Sequence, residues 1–147
     1  ARRGGGAWRV GGVPINVQRS ATARTLVASR SEIARGELEP FAAAFEITGT
    51  GSTAYKMMKV AAGAAQVFVS RGPKSEWDVC ASALVVEEAG GRATDLKGRA
   101  LRFNQRRTEL YGILVTNGVL HAEMLERLTG LPPGDRLAAW RSDEAER

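Results

Sequence analysis

Apolar residues recur with two spacings along this chain, and each spacing predicts its own kind of element. Near the start, the alternating stretches 7–10 and 13–17 flank Gly11-Gly12, a pattern that reads as a β-hairpin closed by a glycine turn. Residues 25–29, 45–48, 66–70 and 110–115 are short apolar runs bounded by charges or glycines, so they are predicted as strands, with weaker strands near 92–94 and 100–103. Residues 37–44 read as a helix. From Ser52 the spacing changes: Ala54, Met57, Met58, Ala61, Ala62 and Ala65 form one stripe with a period of about 3.6 residues, which leaves Lys56 and Lys59 off it. The stretch 76–89 is apolar nearly all round, at Val79, Cys80, Ala83, Leu84, Val85 and Val86, and is expected to be a buried helix stopped by Gly90-Gly91. A last helix, capped by Asn117, is expected to turn Val119, Leu120, Met124, Leu125 and Leu128 inward.

Strands alternating with helices predict an α/β fold, a layered sandwich on a mixed sheet with helical crossovers, because parallel neighbours need such crossovers. A length of 147 residues suits one domain, and 44% hydrophobic with 25% charged residues is ordinary for a globular protein. Residues 135–147 are charged and nearly free of large apolar groups, so 132–147 reads as a tail. The apolar runs are short and interrupted, which argues against a membrane span or a secretory signal and for a cytoplasmic protein. One cysteine and one histidine exclude an internal disulfide and a Cys/His zinc cluster.

The net charge of +5 fits an acidic partner, either nucleic acid or a phosphorylated small molecule. Arginines are spread from Arg2 to Arg147 with no interleaved aromatic platform, which argues against nucleic acid.

Two loop-to-helix junctions carry candidate chemistry, because each follows a predicted strand and opens a predicted helix, where free N–H groups favour anions. In the first, Gly49, Gly51, Ser52 and Thr53 precede Lys56: glycines admit a phosphate, hydroxyls donate to it and Lys56 adds a charge. Alone, such a stretch is as well read as a plain turn with an N-cap. In the second, Ser75 and Asp78 have the spacing of a capping box, while Asp78 is also placed to bind a hard cation such as Mg²⁺. Cys80 reads as a small buried residue, His121 as a surface group of no special role, and Trp8 with Met57-Met58 as core.

Residues 77–91, Trp77-Asp78-Val79-Cys80-Ala81-Ser82-Ala83-Leu84-Val85-Val86-Glu87-Glu88-Ala89-Gly90-Gly91, resemble the C-terminal signature of the inositol monophosphatase superfamily of Mg²⁺-dependent, Li⁺-sensitive phosphomonoesterases. Gly51-Ser52-Thr53-Ala54-Tyr55-Lys56, Gly63, Thr94-Asp95-Leu96 with Gly98, and Gly4-Gly5-Gly6-Ala7-Trp8-Arg9 extend the likeness from about Gly4 to Leu128. The resemblance implies that Asp78 is a ligand of two or three catalytic Mg²⁺ ions. It also implies direct hydrolysis by metal-activated water, with Gly51, Ser52, Thr53, Lys56, Arg71 and Glu76 contacting a phosphorylated small-molecule substrate. Arg71 stands where inositol-type members have a Glu, so the likeness leans to the 3'(2'),5'-bisphosphate nucleotidase branch, with an inositol 1-phosphate phosphatase or a non-catalytic basic module binding nucleotide or nucleic acid as alternatives.

The family's helix Glu and Asp-Pro-(Ile or Leu)-Asp-Gly-Thr loop have no counterpart here. The chain is therefore expected to be the C-terminal half of the sugar-phosphatase fold, completed by an N-terminal half in cis or in trans and inactive alone. On that expectation residues 1–20 belong to the edge of the missing domain and 21–131 form the C-terminal domain. Unpaired strand edges would then make the isolated chain dimerise or aggregate.

Overall fold

Apolar residues on both sides of a strand require cover on both faces, and the chain supplies it with helices. The computed structural model describes residues 1–132 and Gly134. The expected charged tail lies outside the described residues apart from Pro132 and Gly134. Along the chain run β1 (Thr25–Ala28), α1 (Arg30–Ala34), α2 (Glu39–Ala42), β2 (Glu46–Gly49), α3 (Thr53–Ala61), β3 (Val67–Ser70), β4 (Lys74–Ser75) and α4 (Glu76–Glu88). They are followed by β5 (Arg92–Thr94), β6 (Glu109–Leu110), β7 (Ile113–Thr116) and α5 (His121–Leu128).

Five strands form one mixed sheet in the order β2-β1-β3-β7-β5, and β4 pairs with β6 apart from it. β1 is parallel to β2 and to β3, while β7 runs antiparallel between β3 and β5. Side chains alternate across the sheet. Val27, Phe68, Ile113 and Val115 face one layer with Met57, Val60, Val79, Ala83 and Val86 from α3 and α4. Leu26, Ala28, Val67, Val69 and Leu114 face the other, with Leu38, Phe41, Leu120 and Met124 from the segments around α2 and α5. The fold is thus a three-layer α/β sandwich. Each strand residue buried here is worth about 1.5–3 kcal/mol of transfer free energy for a full-sized apolar side chain.

The N-terminal hairpin forms through Arg9 N–H to Val13 C=O (2.8 Å) and Ile15 N–H to Ala7 C=O (2.8 Å). Ala7 and Val17 enter the α3/α4 layer, but Trp8, expected in the core, is 54% exposed. Its indole donates to the Gly5 carbonyl 2.7 Å away at the surface. Gly4 and Gly6, both at positive φ, aim their N–H groups at the two oxygens of Glu88 (2.8 Å each). These backbone bonds, Gly4's first, hold the Glu88 carboxyl below its usual range. The glycine cluster at the start is a clasp on the end of α4.

Several expected elements differ. The helix expected over 37–44 shortens to Glu39–Ala42, and α1 forms over residues 30–34, for which no element was expected. The strand expected near 100–103 is a single bridge, Thr94 to Ala100. The run expected over 110–115 breaks into β6 and β7 at Gly112, where φ is +80 and a Cβ would sit 2.8 Å from the Ser70 carbonyl oxygen and 2.7 Å from a Leu96 methyl. No L side chain fits that close approach. Helix α4 is not buried all round, since Trp77 (73% exposed), Asp78, Cys80 and Ala81 face outward. Met58 packs against the core only partly buried, and Val119 is exposed.

Candidate functional site

The three parallel strands end together, and the connections leaving the two central ones diverge. The chain leaves β1 through α1 and α2 towards β2 on one face of the sheet, and leaves β3 towards α4 on the other. Such a switch point opens a crevice outside the carboxyl ends of the strands, the usual ligand position in open α/β sheets.

The first junction follows β2. Gly49 lets the chain pass Arg30, whose Cγ would lie 3.0 Å from a Cβ there. Ser52 then takes a left-handed conformation (φ 60°) rare for a non-glycine residue, which costs about 1 kcal/mol or more. Its hydroxyl accepts from Tyr55 N–H (3.3 Å) and caps α3, so the N-cap reading is realised while Gly51 and Ser52 stay exposed.

Lys56 departs from expectation. Placed off the apolar stripe by the sequence, it is 2% exposed, and its Nζ donates to Ser29 Oγ (3.1 Å) and the Thr50 carbonyl (3.4 Å) above the Phe68 ring (5.1 Å). Burial pulls the ammonium below its usual range; the Glu32 charge resists this and the Lys74 charge adds to it.

The second junction opens α4. The capping box does not form, because Ser75 makes no side-chain bond to the helix and is held instead in β4, paired with β6. Asp78 is exposed in the first turn. Glu76 is buried, and its carboxylate accepts from Asn104 N–H (2.7 Å) and Gln105 N–H (3.1 Å), so it organises the loop beside it. Arg71 is buried too, donating to the Glu37 carbonyl (2.9 Å) and the Pro132 carbonyl. It borders a cavity of about 690 Å³ between the 95–99 turn and the end of α5, lined also by Leu96, Tyr111, Leu125 and Leu131. Gly51, Ser52, Thr53 and Lys56 therefore form one group, whereas Arg71 and Glu76 are each engaged by neighbouring backbone.

Two roles assigned from sequence are corrected. Cys80 is exposed rather than buried, because α4 turns that face outward. His121 is buried (1% exposed) and bridges Thr94 Oγ1 (3.1 Å) and Thr116 Oγ1 (3.0 Å), tying α5 to β5 and β7.

The sequence reading also missed Glu32. It is 3% exposed, and its Oε1 accepts from Ser70 Oγ (2.5 Å) and Arg71 N–H (3.1 Å). Burial pushes this carboxyl up, but the Ser70 bond, the Lys74 charge and the bonds from Ser29 and the Arg71 backbone outweigh it, so the net shift is downward. The available signal was its place just beyond the apolar run 25–29.

Among the described residues, no group of three or more His, Cys, Asp or Glu side chains could hold a metal ion. Asp78 alone does not fit a complete Mg²⁺ centre, which needs several oxygen ligands. Among the same residues no helix is long and apolar enough to cross a membrane.

Parallel strands whose connections diverge to opposite faces, covered by helices on both, define an open three-layer α/β protein. Residues 1–131 match the Inositol monophosphatase family, and the chain belongs to that family. It is 40% identical over 78 residues to the chloroplastic phosphatase IMPL1 of Arabidopsis thaliana, covering 53% of this chain and 19% of that protein. It is 32% identical over 88 residues to a putative mitochondrial 3'(2'),5'-bisphosphate nucleotidase of the same plant, covering 53% of this chain and 22% of that one. Among solved structures it superposes on the Thermotoga maritima IMPase with a TM-score of 0.72 at 26% identity, covering 87% of this chain and 49% of that chain. The chain thus spans about half the length of that structure and about a fifth of these curated relatives.

Proposed function

We propose that this chain is the substrate-gripping part of a metal-dependent phosphomonoesterase acting on a 3'(2'),5'-bisphosphonucleoside. The observation that carries the reading is Lys56, a buried ammonium held beneath the exposed Gly51-Ser52 turn at the start of α3. There the backbone N–H groups of the first turn, the Ser52 and Thr53 hydroxyls and the Lys56 charge converge on the non-reacting phosphate of the substrate. Asp78 presents one carboxylate towards the reacting phosphate, and the remaining metal ligands come from outside the described residues. Hydrolysis would be supplied by Mg²⁺ when bound; this chain's residues bind and orient the ester.

A nucleotide is favoured over a polyol because two cations, Lys56 and Lys74, act on one another at the junction, and because the Glu76 carboxylate is already occupied by two backbone N–H groups. Glu76 contributes by holding the loop at 104–105, and Arg71 by shaping the wall next to the cavity. Calorimetry on this chain should give tighter binding of adenosine 3',5'-bisphosphate than of adenosine 5'-monophosphate or myo-inositol 1-phosphate. Equal or reversed affinities would refute the substrate class. In a full-length protein containing this sequence, Asp78→Asn should abolish Mg²⁺-dependent phosphate release with the fold intact, and retained turnover would remove Asp78 from the metal site.

A further inference from the structure

Glu32 presents a problem that hydrogen bonding does not solve. Its carboxylate is buried against the end of β3, where Oε1 accepts from Ser70 Oγ and from Arg71 N–H while the Ser29 hydroxyl adds to its stabilisation. Oε2 is buried with no hydrogen-bond partner among the described residues. A glutamine at this position would accept the same two bonds through its carbonyl oxygen, and without the cost of burying an ion. What only glutamate supplies is negative charge.

The charge has two cations to answer. Lys56 is buried with its ammonium on Ser29 Oγ and the Thr50 carbonyl, and Ser29 is the N-cap of α1, three residues before Glu32 in the first turn of that helix. Lys74 faces the cluster from β4. The groups around Lys56 are the Ser29 hydroxyl and Glu32 from the N-cap and first turn of α1, the Thr50 carbonyl from the end of β2, the Phe68 ring from β3 and the Lys74 charge from β4. Among the described residues Glu32 is the anion of this group, and its charge opposes the lowering of the Lys56 pKa by burial and by the Lys74 charge.

We propose that Glu32 is the positioning residue of the anion junction: it ties the ends of β1 and β3 together and serves as the buried counter-ion that keeps Lys56 a cation beneath the Gly51-Ser52 turn. This rests on the phosphate-binding reading of that junction and gives it a regulator. Lys56 loses its proton more readily as burial deepens, so a junction without Glu32 would grip phosphate at low pH and release it as the medium becomes alkaline.

The test uses this chain as it stands, with Glu32→Gln to remove charge while keeping the acceptor and Glu32→Asp to keep charge with a shorter reach. Carbon-detected NMR follows the Lys56 side chain through a pH titration, its resonance assigned from Lys56→Arg. In Glu32→Gln the Lys56 midpoint should fall by about one pH unit or more, the equivalent of at least about a tenfold shift in its proton affinity. In Glu32→Asp it should stay nearer to that of the unaltered chain. Affinity for adenosine 3',5'-bisphosphate should fall more on Glu32→Gln at alkaline pH than near neutrality, in step with the Lys56 midpoint measured in the same variant.

Should Glu32→Gln fail to fold, as circular dichroism would reveal, the reciprocal variant decides: Lys56→Met should raise the Glu32 midpoint by a matching amount, since coupling between two sites is mutual. A Lys56 midpoint unmoved in Glu32→Gln, or a Glu32 midpoint unmoved in Lys56→Met, overturns the proposal. Failure of the unaltered chain to bind adenosine 3',5'-bisphosphate or inorganic phosphate overturns the phosphate reading instead, and the midpoints still decide the pairing.

Discussion

Protonating His121 should unfold this domain from its centre. The imidazole is 1% exposed between β5, β7 and α5, and the protons around it can be counted. Thr94 Oγ1 donates its proton to the Asp95 carbonyl (2.8 Å), so towards the ring it can only accept, and Nε2 must carry the hydrogen. Nδ1 is then the acceptor for the Thr116 hydroxyl, whose oxygen also accepts from Gly118 N–H. This tautomer, assigned from the bonding network, satisfies both nitrogens in the neutral ring. A second proton on Nδ1 would meet the Thr116 O–H head on. Burial first, and the Arg92 charge second, lower the His121 pKa from 6.5 to about 4. A folded-state value below the unfolded one means that the unfolded chain binds the extra proton first. The stabilisation is therefore complete above about pH 6.5 and lost as pH falls towards 4, at up to about 1.4 kcal/mol per pH unit and about 3 kcal/mol in all. His121 is the single histidine of the sequence, so its ring proton resonance is unambiguous. Denaturant unfolding between pH 4.5 and 7.5 should show the slope in the unaltered chain and a flatter one in His121→Gln. A ring midpoint near 6.5, or identical slopes in both proteins, would refute the argument.

Other outcomes follow from single contacts. Gly112→Ala should lower stability by about 2 kcal/mol or more, measured by thermal unfolding, since the new Cβ must enter a left-handed position 2.8 Å from the Ser70 carbonyl oxygen. Glu88→Gln should accelerate hydrogen exchange at Gly4 and Gly6, whose N–H groups it holds, without disturbing the sheet. Trp77→Ala should shift the stability of this chain by less than about 0.5 kcal/mol, because its side chain is 73% exposed and the site is on the surface. A larger loss in the same denaturation assay would mean that the indole packs more than the structure gives it.

Local pattern alone determined a good part of this protein. The strand runs 25–29, 45–48 and 66–70 and the helices that begin near Ser52 and Glu76 are legible because a buried strand and an amphipathic helix each demand a distinct spacing of apolar groups. The density of residues 77–91 carried the family resemblance in the same way. What pattern could not reach depends on groups far apart in the chain. Lys56 read as lying off the buried stripe, and its burial was hidden because its partners, Ser29 and Thr50, arrive only when β1 and β2 pair. His121 read as inert because Thr94 and the strand ends that bury it belong to other elements. Cys80 and Trp77 read as part of a buried helix because hydrophobic content reports how much of a helix can be covered, whereas the sheet it packs on decides which face is. Glu32 had no motif to mark it, and its place follows from the divergence of connections at β1 and β3. Local spacing selects elements, but burial, charge pairing and the polar cluster at the switch point are properties of their three-dimensional arrangement, where desolvation and Coulomb interactions act between residues the sequence keeps apart.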